Sequence, residues 1–375
     1  MKQTEDNTQD QEDLRLLRES AQTLFARAGG SDRARKLRDA GGRWGDGMIT
    51  ELAGAGVFGV AVPEENGGLG MGLAAAGVLA EEAGRVIAPE PVVATIGLTI
   101  GLLYRLCPDH GMLEKAIGGE TVLATAWQER GAAGVAPGRD CRFAGGRLTG
   151  AKAWIAGAVG ADGYLVVAEG DGGAVLAYAE AGAAGLNVEG RRQADGSALG
   201  ELSFSATPAE LLAEGAAVEA ALAEAVSDTT ALAAAELVGL SGRAFEIVLD
   251  YVKTREQFDK PIGAFQVIQH RATDLYVMQE VAHAAVREVL SSMDRAAAGP
   301  QARARLASRA KARAGAAAKK ITRDAVQLHG AVGYTDEFDI GLFLNRALVL
   351  SAWLGDDTYH RRLWLDARDK EGAER

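Results

Sequence analysis

The chain of 375 residues has only two cysteines, Cys107 and Cys141, and five histidines. Two cysteines exclude a disulfide framework, and neither has the neighbouring His or Cys spacing of a zinc site. The histidines (His110, His270, His283, His329 and His360) form no HxxxH or HExxH pattern, so no metal centre is expected. Positive charge is also in deficit: 40 Lys and Arg stand against 51 Asp and Glu, a net charge of -11. That balance excludes a nucleic-acid surface, which needs basic stripes to release counterions. It leaves room for an anionic ligand, since single arginines and helix N-termini attract anions locally. Long apolar runs are missing as well. The longest, PVVATIGLTIGLLY (Pro91 to Tyr104), has 14 residues. It is short of a bilayer span and reads as a buried core helix, with no membrane insertion. The opening MKQTEDNTQDQED is polar and acidic, the opposite of a signal peptide. It points to a cytoplasmic protein with a disordered tail over residues 1–12.

What is present is an ordinary globular composition, 48% hydrophobic and 24% charged, with length for two or three cores. Three textures succeed one another. Residues 13–118 have helical period, with Met48, Leu52, Val57 and Val60 preceding the breaker run PEENGGLGMG (Pro63 to Gly72). Helix resumes after that loop, with Glu81 and Glu82 on one side. Residues 119–208 alternate short apolar runs with glycine turns, the pattern of a small antiparallel barrel or sandwich. Within it FAGGRLTG predicts a hairpin turning at Gly145-Gly146. Residues 209–375 return to helical period. One helix is expected from about Ala217 to Thr254, a second after Pro261-Ile262-Gly263, and a third from Ala302 to a capping Gly330. The expected fold is α+β and mostly α. It has an N-terminal helical domain, a middle antiparallel β-barrel domain and a C-terminal four-helix bundle.

Three stretches carry a family resemblance: WGDGMITELAGAGVFGVAVPEENGGLG (Trp44 to Gly70), YVKTREQFDKPIGAFQVIQH (Tyr251 to His270) and AVQLHGAVGYTDEF (Ala325 to Phe338). With the helical, β, helical order, they make the chain resemble the acyl-CoA dehydrogenase family of flavoproteins, from Trp44 to Arg362. Read alone, Arg255 at a helix end complements the dipole, and Gly330 and Gly333 of QLHGAVGYT stop a helix. The resemblance implies more: FAD as cofactor, Arg255 on its pyrophosphate, and Phe258 and Gln266 at the adenosine end. It also implies that Gln327, His329 and Gly330 close over the cofactor of a neighbouring subunit, hence a homo- or hetero-oligomer, a dimer or tetramer. One departure is Ala331, where the family has a second glycine; positive φ there would cost an alanine.

In LTGAKAWIAGA (Leu148 to Ala158) the resemblance sets Trp154 beside the flavin ring, with backbone groups near Ile155 and Ala156 on its edge. Read alone, Trp154 is a core residue of a small barrel. Ala156 replaces the usual hydroxyl residue, and Gln128-Glu129-Arg130 replaces the usual Thr-Glu-Pro turn, with Gln128 kept among the cofactor contacts. The acyl-CoA loop that follows looks shortened.

The reaction implied is α,β-dehydrogenation of an acyl-CoA thioester. A carboxylate removes the α-proton while the flavin takes the β-hydride. An electron-transfer flavoprotein or similar acceptor then takes the electrons. The family's Glu before Gly-Thr aligns with Leu354 of WLGDDTYHRR, beside Gly355. The family's alternative position, on the helix before Arg255, aligns with Thr229. The carboxylates near it are Asp228, about 100° around the helix, and Glu236, about 10 Å along it. Glu236 lies in the apolar run ALAAAELVGL, where a buried ion pair is the competing role. Asp356 and Asp357 open a new helix and read as a cap and a dipole partner. The base is therefore unassigned, with Glu236 and Asp228 as candidates. Three functions are compatible. One is a dehydrogenase of a bulky or ring-derived acyl group, such as a steroid fragment. Another is a catalytically silent partner subunit of a two-gene dehydrogenase. The third is a flavin oxidase or monooxygenase, which needs no α-proton base.

Overall fold

The structure is a computed structural model and describes residues 2–40, 44–131, 139–295 and 299–373. Helix α1 (Lys2–Arg27) is followed by α2 (Asp32–Ala40), α3 (Asp46–Gly54) and α4 (Gly72–Arg85). The helix starts at Lys2, in place of the tail expected over 1–12, and Arg15 bridges Glu12 and Glu19 along its face. The breaker run before α4 is a loop, with Gly67, Gly70 and Gly72 at positive φ. Then α5 (Val92–Ala94), a π-helical stretch (Thr95–Ile100) and α6 (Gly101–Leu106) run on without a break, followed by α7 (Gly111–Ile117). Val92, Ile96, Ile100 and Leu103 of this apolar run are buried, as a core helix requires. No helix among the described residues is long and apolar enough to cross a membrane.

The middle region holds β1 (Leu123–Ala126), β2 (Arg142–Ala144), β3 (Arg147–Ala156), β4 (Gly163–Gly170), β5 (Gly173–Glu180), β6 (Leu186–Arg192), β7 (Ala198–Pro208) and β8 (Glu210–Glu214). They form one sheet in the order β6-β7-β3-β2-β4-β5-β8, with β1 also on β4. Two features correct the expected antiparallel barrel. The sheet is mixed, because β1 and β2 both run parallel to β4. It is also open among the described residues, ending at β6 and β8. Strand period is the same in parallel and antiparallel pairs, so the sequence pattern could not distinguish them. The expected boundary at 208/209 also moves, since β8 pairs with β5 before Gly215 turns the chain into the next helix. The Gly145-Gly146 hairpin forms as expected, with φ of 55° and 73°.

The C-terminal region consists of α8 (Ala216–Thr254), a hairpin of β9 (Glu256–Gln257) and β10 (Lys260–Pro261), then α9 (Gln266–Arg295), α10 (Pro300–His329), α11 (Ile340–Ala352) and α12 (Asp357–Ala373). Helix α8 is the axis of the molecule: every residue from Ser227 to Ser241 is buried, which marks a helix covered on all sides. Glycines let α4 approach it at backbone distance. A Cβ on Gly84 would lie 2.1 Å from the Glu236 carbonyl oxygen, and one on Gly239 would lie 1.9 Å from that of Glu81. This close crossing fixes the height at which Glu236 leaves α8.

Candidate functional site

A cleft opens where the three regions meet. Its walls include Trp44 and Glu90 of the first region, Ala156 at the end of β3, Glu236 of α8, and Arg346 and Trp353 of the α11 segment. Arg346 spans it. Its Nε and Nη2 lie 3.1 Å and 2.5 Å from Oε1 of Glu236, and its Nη1 lies 3.1 Å from Oδ2 of Asp195. One guanidinium thus ties the central helix, α11 and the β6–β7 turn together. Burial opposes its charge, but Glu236 and Asp195 outweigh burial and hold its pKa above the ordinary arginine value. Glu236 is accordingly a buried ion-pair residue.

The other helix candidate is engaged more fully. Asp228 receives Nη2 of Arg105 at 2.7 Å and Nε of Arg303 at 2.6 Å, so it fastens α6 and α10 to α8. Thr229 is fully buried, and its hydroxyl donates to the Ala225 carbonyl at 2.6 Å. At the family's usual base position, Leu354 packs into the main core, 3% exposed, at a φ of 60°. Next to it Gly355 has a φ of 98°. The two aspartates that follow are structural: Asp356 Oδ1 accepts the Tyr359 amide at 2.8 Å as an N-cap, and Asp357 pairs with Lys319.

Strand β3 is irregular between Lys152 and Ile155, and there Trp154 takes a φ of 61° with 43% exposure. This bulge turns the indole outward, so Trp154 is not a core residue; Arg130 stands 5.9 Å from its ring centre. Ile155 and Ala156 re-enter the ladder opposite Gly200 and Leu199, and Ala156 reaches the cleft. Gln128 is buried, its carbonyl accepting the Ala153 amide at 2.9 Å. Beside it is a pair that sequence reasoning missed: Lys152 Nζ lies 2.6 Å from Oε1 of Glu129, both buried. Burial works against the Glu129 charge, yet Lys152 and the amides of Cys141 and Asp140 outweigh it and hold the carboxyl below its usual range. A lysine inside an apolar strand, AKAWIA, was the available signal. The loop expected to contact acyl-CoA falls largely on 132–138, outside the described residues.

The remaining predicted residues gather at the far ends of α8 and α10. Tyr251, one turn before Arg255, stacks on His329 with ring centres 4.2 Å apart, and its hydroxyl donates to the His329 carbonyl at 3.2 Å. That contact brings the Arg255 loop and the Gln327-to-Gly330 turn side by side. Arg255 is exposed, Phe258 is 85% exposed, and Gln266 opens α9 on the surface. Gln327 is exposed in a groove shared with Arg271, Arg323 and Tyr334. Among the described residues, the side chains of Arg255, Gln266 and Gln327 have no hydrogen-bond or ion-pair partner. Three free donors and an exposed ring fit the phosphates and base of a dinucleotide.

His329 differs from this set. It is buried, its Nδ1–H donates to the Ala325 carbonyl at 2.7 Å, and burial lowers its pKa. It supports the turn from inside and does not present a donor at the surface. Gly330 has the expected positive φ, 67°, but its ψ of -141° is not that of a left-handed helical residue. Ala331 is absent from the positive-φ residues, so alanine there carries no strain.

The chain thus places a mixed sheet, in sequence, between two helical regions, with unpaired polar side chains at the far ends of α8 and α10 and a cleft that reaches the end of β3. Residues 11–109 match the family model of the acyl-CoA dehydrogenase N-terminal domain, and residues 212–367 that of the C-terminal domain. The chain belongs to the acyl-CoA dehydrogenase family of oxidoreductases. Acyl-CoA dehydrogenase FadE34 of Mycobacterium tuberculosis is 30% identical over 320 residues, which is 82% of this chain but 40% of that protein. Acyl-CoA dehydrogenase IpdE2 of the same organism is 28% identical over 351 residues, 90% of this chain and 91% of that protein. A solved Tcur3481-Tcur3483 steroid ACAD variant superposes with a TM-score of 0.86 at 29% identity, covering 97% of this chain and 99% of that one. A glutaryl-CoA dehydrogenase from Mycobacterium smegmatis, solved with FADH2, has the same fold, with a TM-score of 0.84 at 19% identity over 95% and 94% of the two chains. FAD is the usual cofactor of such family structures.

Proposed function

We propose that the chain is one subunit of an FAD-dependent acyl-CoA dehydrogenase whose α-proton base comes from a second, non-identical subunit. The engagement of each candidate carboxylate supports this reading. Position 354 is leucine, Asp228 lies between Arg105 and Arg303, and Glu236 lies against Arg346. A carboxylate so paired is a poor base, because taking up a proton would strand a buried guanidinium.

FAD, when bound, supplies the hydride acceptor. The chain's own residues bind and orient. Arg255 offers a planar fork to the diphosphate, Gln266 and Gln327 offer amide donors, and Phe258 offers an aromatic face to the adenine. Ala156 adds no side-chain hydroxyl, which leaves backbone groups of β3 to meet the flavin edge, with Trp154 beside it. The cleft walls at Trp44 and Trp353 exclude water from the reacting centre. The acyl group in this reading is bulky or ring-derived, as the steroid relative's name suggests, and an electron-transfer flavoprotein or similar carrier accepts the electrons.

The test is to assay the chain alone and mixed with a base-bearing dehydrogenase subunit, following flavin absorbance and reduction of an artificial acceptor by acyl-CoA. The chain alone should fall about 10²–10⁴-fold below the mixture. Glu236→Gln and Asp228→Asn should leave turnover in the mixture. The proposal fails if the chain alone is active and Glu236→Gln abolishes turnover while flavin stays bound. Peroxide formation by the chain alone that survives substitution of Asp228, Glu236, Asp356 and Asp357 would point instead to oxygen chemistry.

A further inference from the structure

The turn between α11 and α12, at the vacated base position, is built around a buried amine. Lys311 of α10 is 1% exposed. Its Nζ donates to the carbonyls of Ser351, Trp353 and Gly355 at 3.1, 2.8 and 3.0 Å. Among the described residues no carboxylate lies within ion-pair distance of it. The carbonyl of Leu354, between these acceptors, is taken by Nε2 of His360 at 2.9 Å. With these carbonyls drawn toward α10 and α12, the backbone at Trp353 is fixed (ψ 136°) and Trp353 stands on the cleft wall with Ala156 and Arg346. The clamp depends on charge. An ammonium has three N–H donors for three acceptors; a neutral amine has two, and would turn a lone pair toward a carbonyl.

We propose that Lys311 is a positioning residue of the cleft: its ammonium sets where Trp353 stands, and loss of its proton releases that wall. The groups acting on it are few. Burial, and then Lys319, push its pKa down to about 7, while Asp356 and Asp357 pull it up. His360, on α12, stays neutral because its own pKa is pushed down to about 4, and the Ser308 hydroxyl faces the same ring. The lysine therefore changes charge around neutral pH, where most lysines do not.

The consequence for an acyl ligand rests on the reading of the cleft given above; the clamp itself is measured without flavin, substrate or partner. Tryptophan emission and acrylamide quenching of the full chain are followed from about pH 6 to about pH 9, and the Trp353 contribution is isolated by subtracting a Trp353→Phe variant. The wild-type contribution should shift with a midpoint near 7. Lys311→Arg, charged throughout, should hold the low-pH value, and Lys311→Met should give a flat profile. If the Met variant does not fold, the comparison of wild type with Lys311→Arg decides. A transition that persists unchanged in Lys311→Arg, or a flat wild-type profile, overturns the clamp. In the active mixture, the KM for acyl-CoA should follow the same midpoint. A clamp transition with a pH-independent KM would leave the clamp standing and refute the placement of the acyl group against Trp353.

Discussion

Nε2 of His360 lies 2.9 Å from the carbonyl oxygen of Leu354, at the point where the family carries its catalytic Glu. A carbonyl can only accept, so Nε2 bears the proton, and Nδ1 accepts from the Ser308 hydroxyl at 3.1 Å. The neutral ring is satisfied on both sides. Burial, and then Lys311, lower its pKa to about 4. The unfolded chain binds a proton at this histidine near pH 6.5, so between that value and 4 the unfolded state holds more protons than the folded one. Stability contributed here is present above about pH 6.5 and is lost as pH falls toward 4, by about 3 kcal/mol in all. Urea denaturation of wild type and His360→Gln, compared at pH values spanning that window, should show the acid-side loss in the wild type only. Parallel slopes would show that His360 does not titrate this way.

Arg346 is expected to be the most costly residue of the cleft to remove. Its guanidinium neutralises two carboxylates, Glu236 and Asp195, whose side chains are each only 6% exposed. Arg346→Met would leave both buried without a countercharge, Asp195 keeping only its bonds from the Ser197 amide and hydroxyl, at about 3–5 kcal/mol. Combining it with Glu236→Leu removes one of the stranded charges and should recover part of that loss. Chemical denaturation of the two single variants and the double variant measures the coupling. A double variant no more stable than Arg346→Met would show that the pair is not coupled.

These partnerships also mark where the sequence stopped being legible. Long helices such as α8 and α10 were readable because their period and caps are local, and so was the Gly145-Gly146 turn, whose φ values need glycine. The Asp356 cap was likewise written within three residues. By contrast Glu236 finds Arg346 across 110 positions, and Asp228 finds Arg105 and Arg303 across 123 and 75. No local pattern encodes such pairs, so two carboxylates looked available that are not. The outward turn of Trp154 was hidden for a related reason: a bulge is set by register against β7, which a single strand does not specify. Lys152 stood inside an apolar run, and only that misplacement could have singled it out, whereas Lys311 stands between Arg309 and Arg313, where nothing local marks it as the buried cation of its helix.

Arg255 should report on the cofactor and hardly at all on the fold. It is exposed and has no ion-pair partner among the described residues, so Arg255→Ala removes no internal contact. If it holds the FAD diphosphate across a subunit boundary, the variant loses a charge-assisted contact worth about 1.5–3 kcal/mol of cofactor affinity. Titration of FAD into the assembled complex should then show about a 10- to 150-fold weaker Kd, with an unchanged melting profile for the isolated chain. Equal FAD affinity in the two proteins would remove Arg255 from the cofactor site.

Gly355 and Asp356 separate the two structural demands of the α11–α12 turn. Gly355 has a φ of 98°, and a Cβ added there would lie 2.4 Å from Cδ1 of Tyr359 and 3.2 Å from Nε2 of His360. Gly355→Ala therefore combines backbone strain, about 1–3 kcal/mol, with a clash that must displace the tyrosine ring. It also moves the carbonyl held by Lys311. Asp356→Ala removes only the cap on the Tyr359 amide, about 1 kcal/mol, and leaves the backbone where it is. The glycine variant should be the less stable of the two in urea. It should also alter the pH profile of Trp353 emission, since Gly355 supplies one of the three clamp acceptors, whereas Asp356→Ala should keep that profile and shift its midpoint slightly downward through the lost charge. If Asp356→Ala costs more stability than Gly355→Ala, the turn is held mainly by its cap, and the buried lysine is not what shapes it.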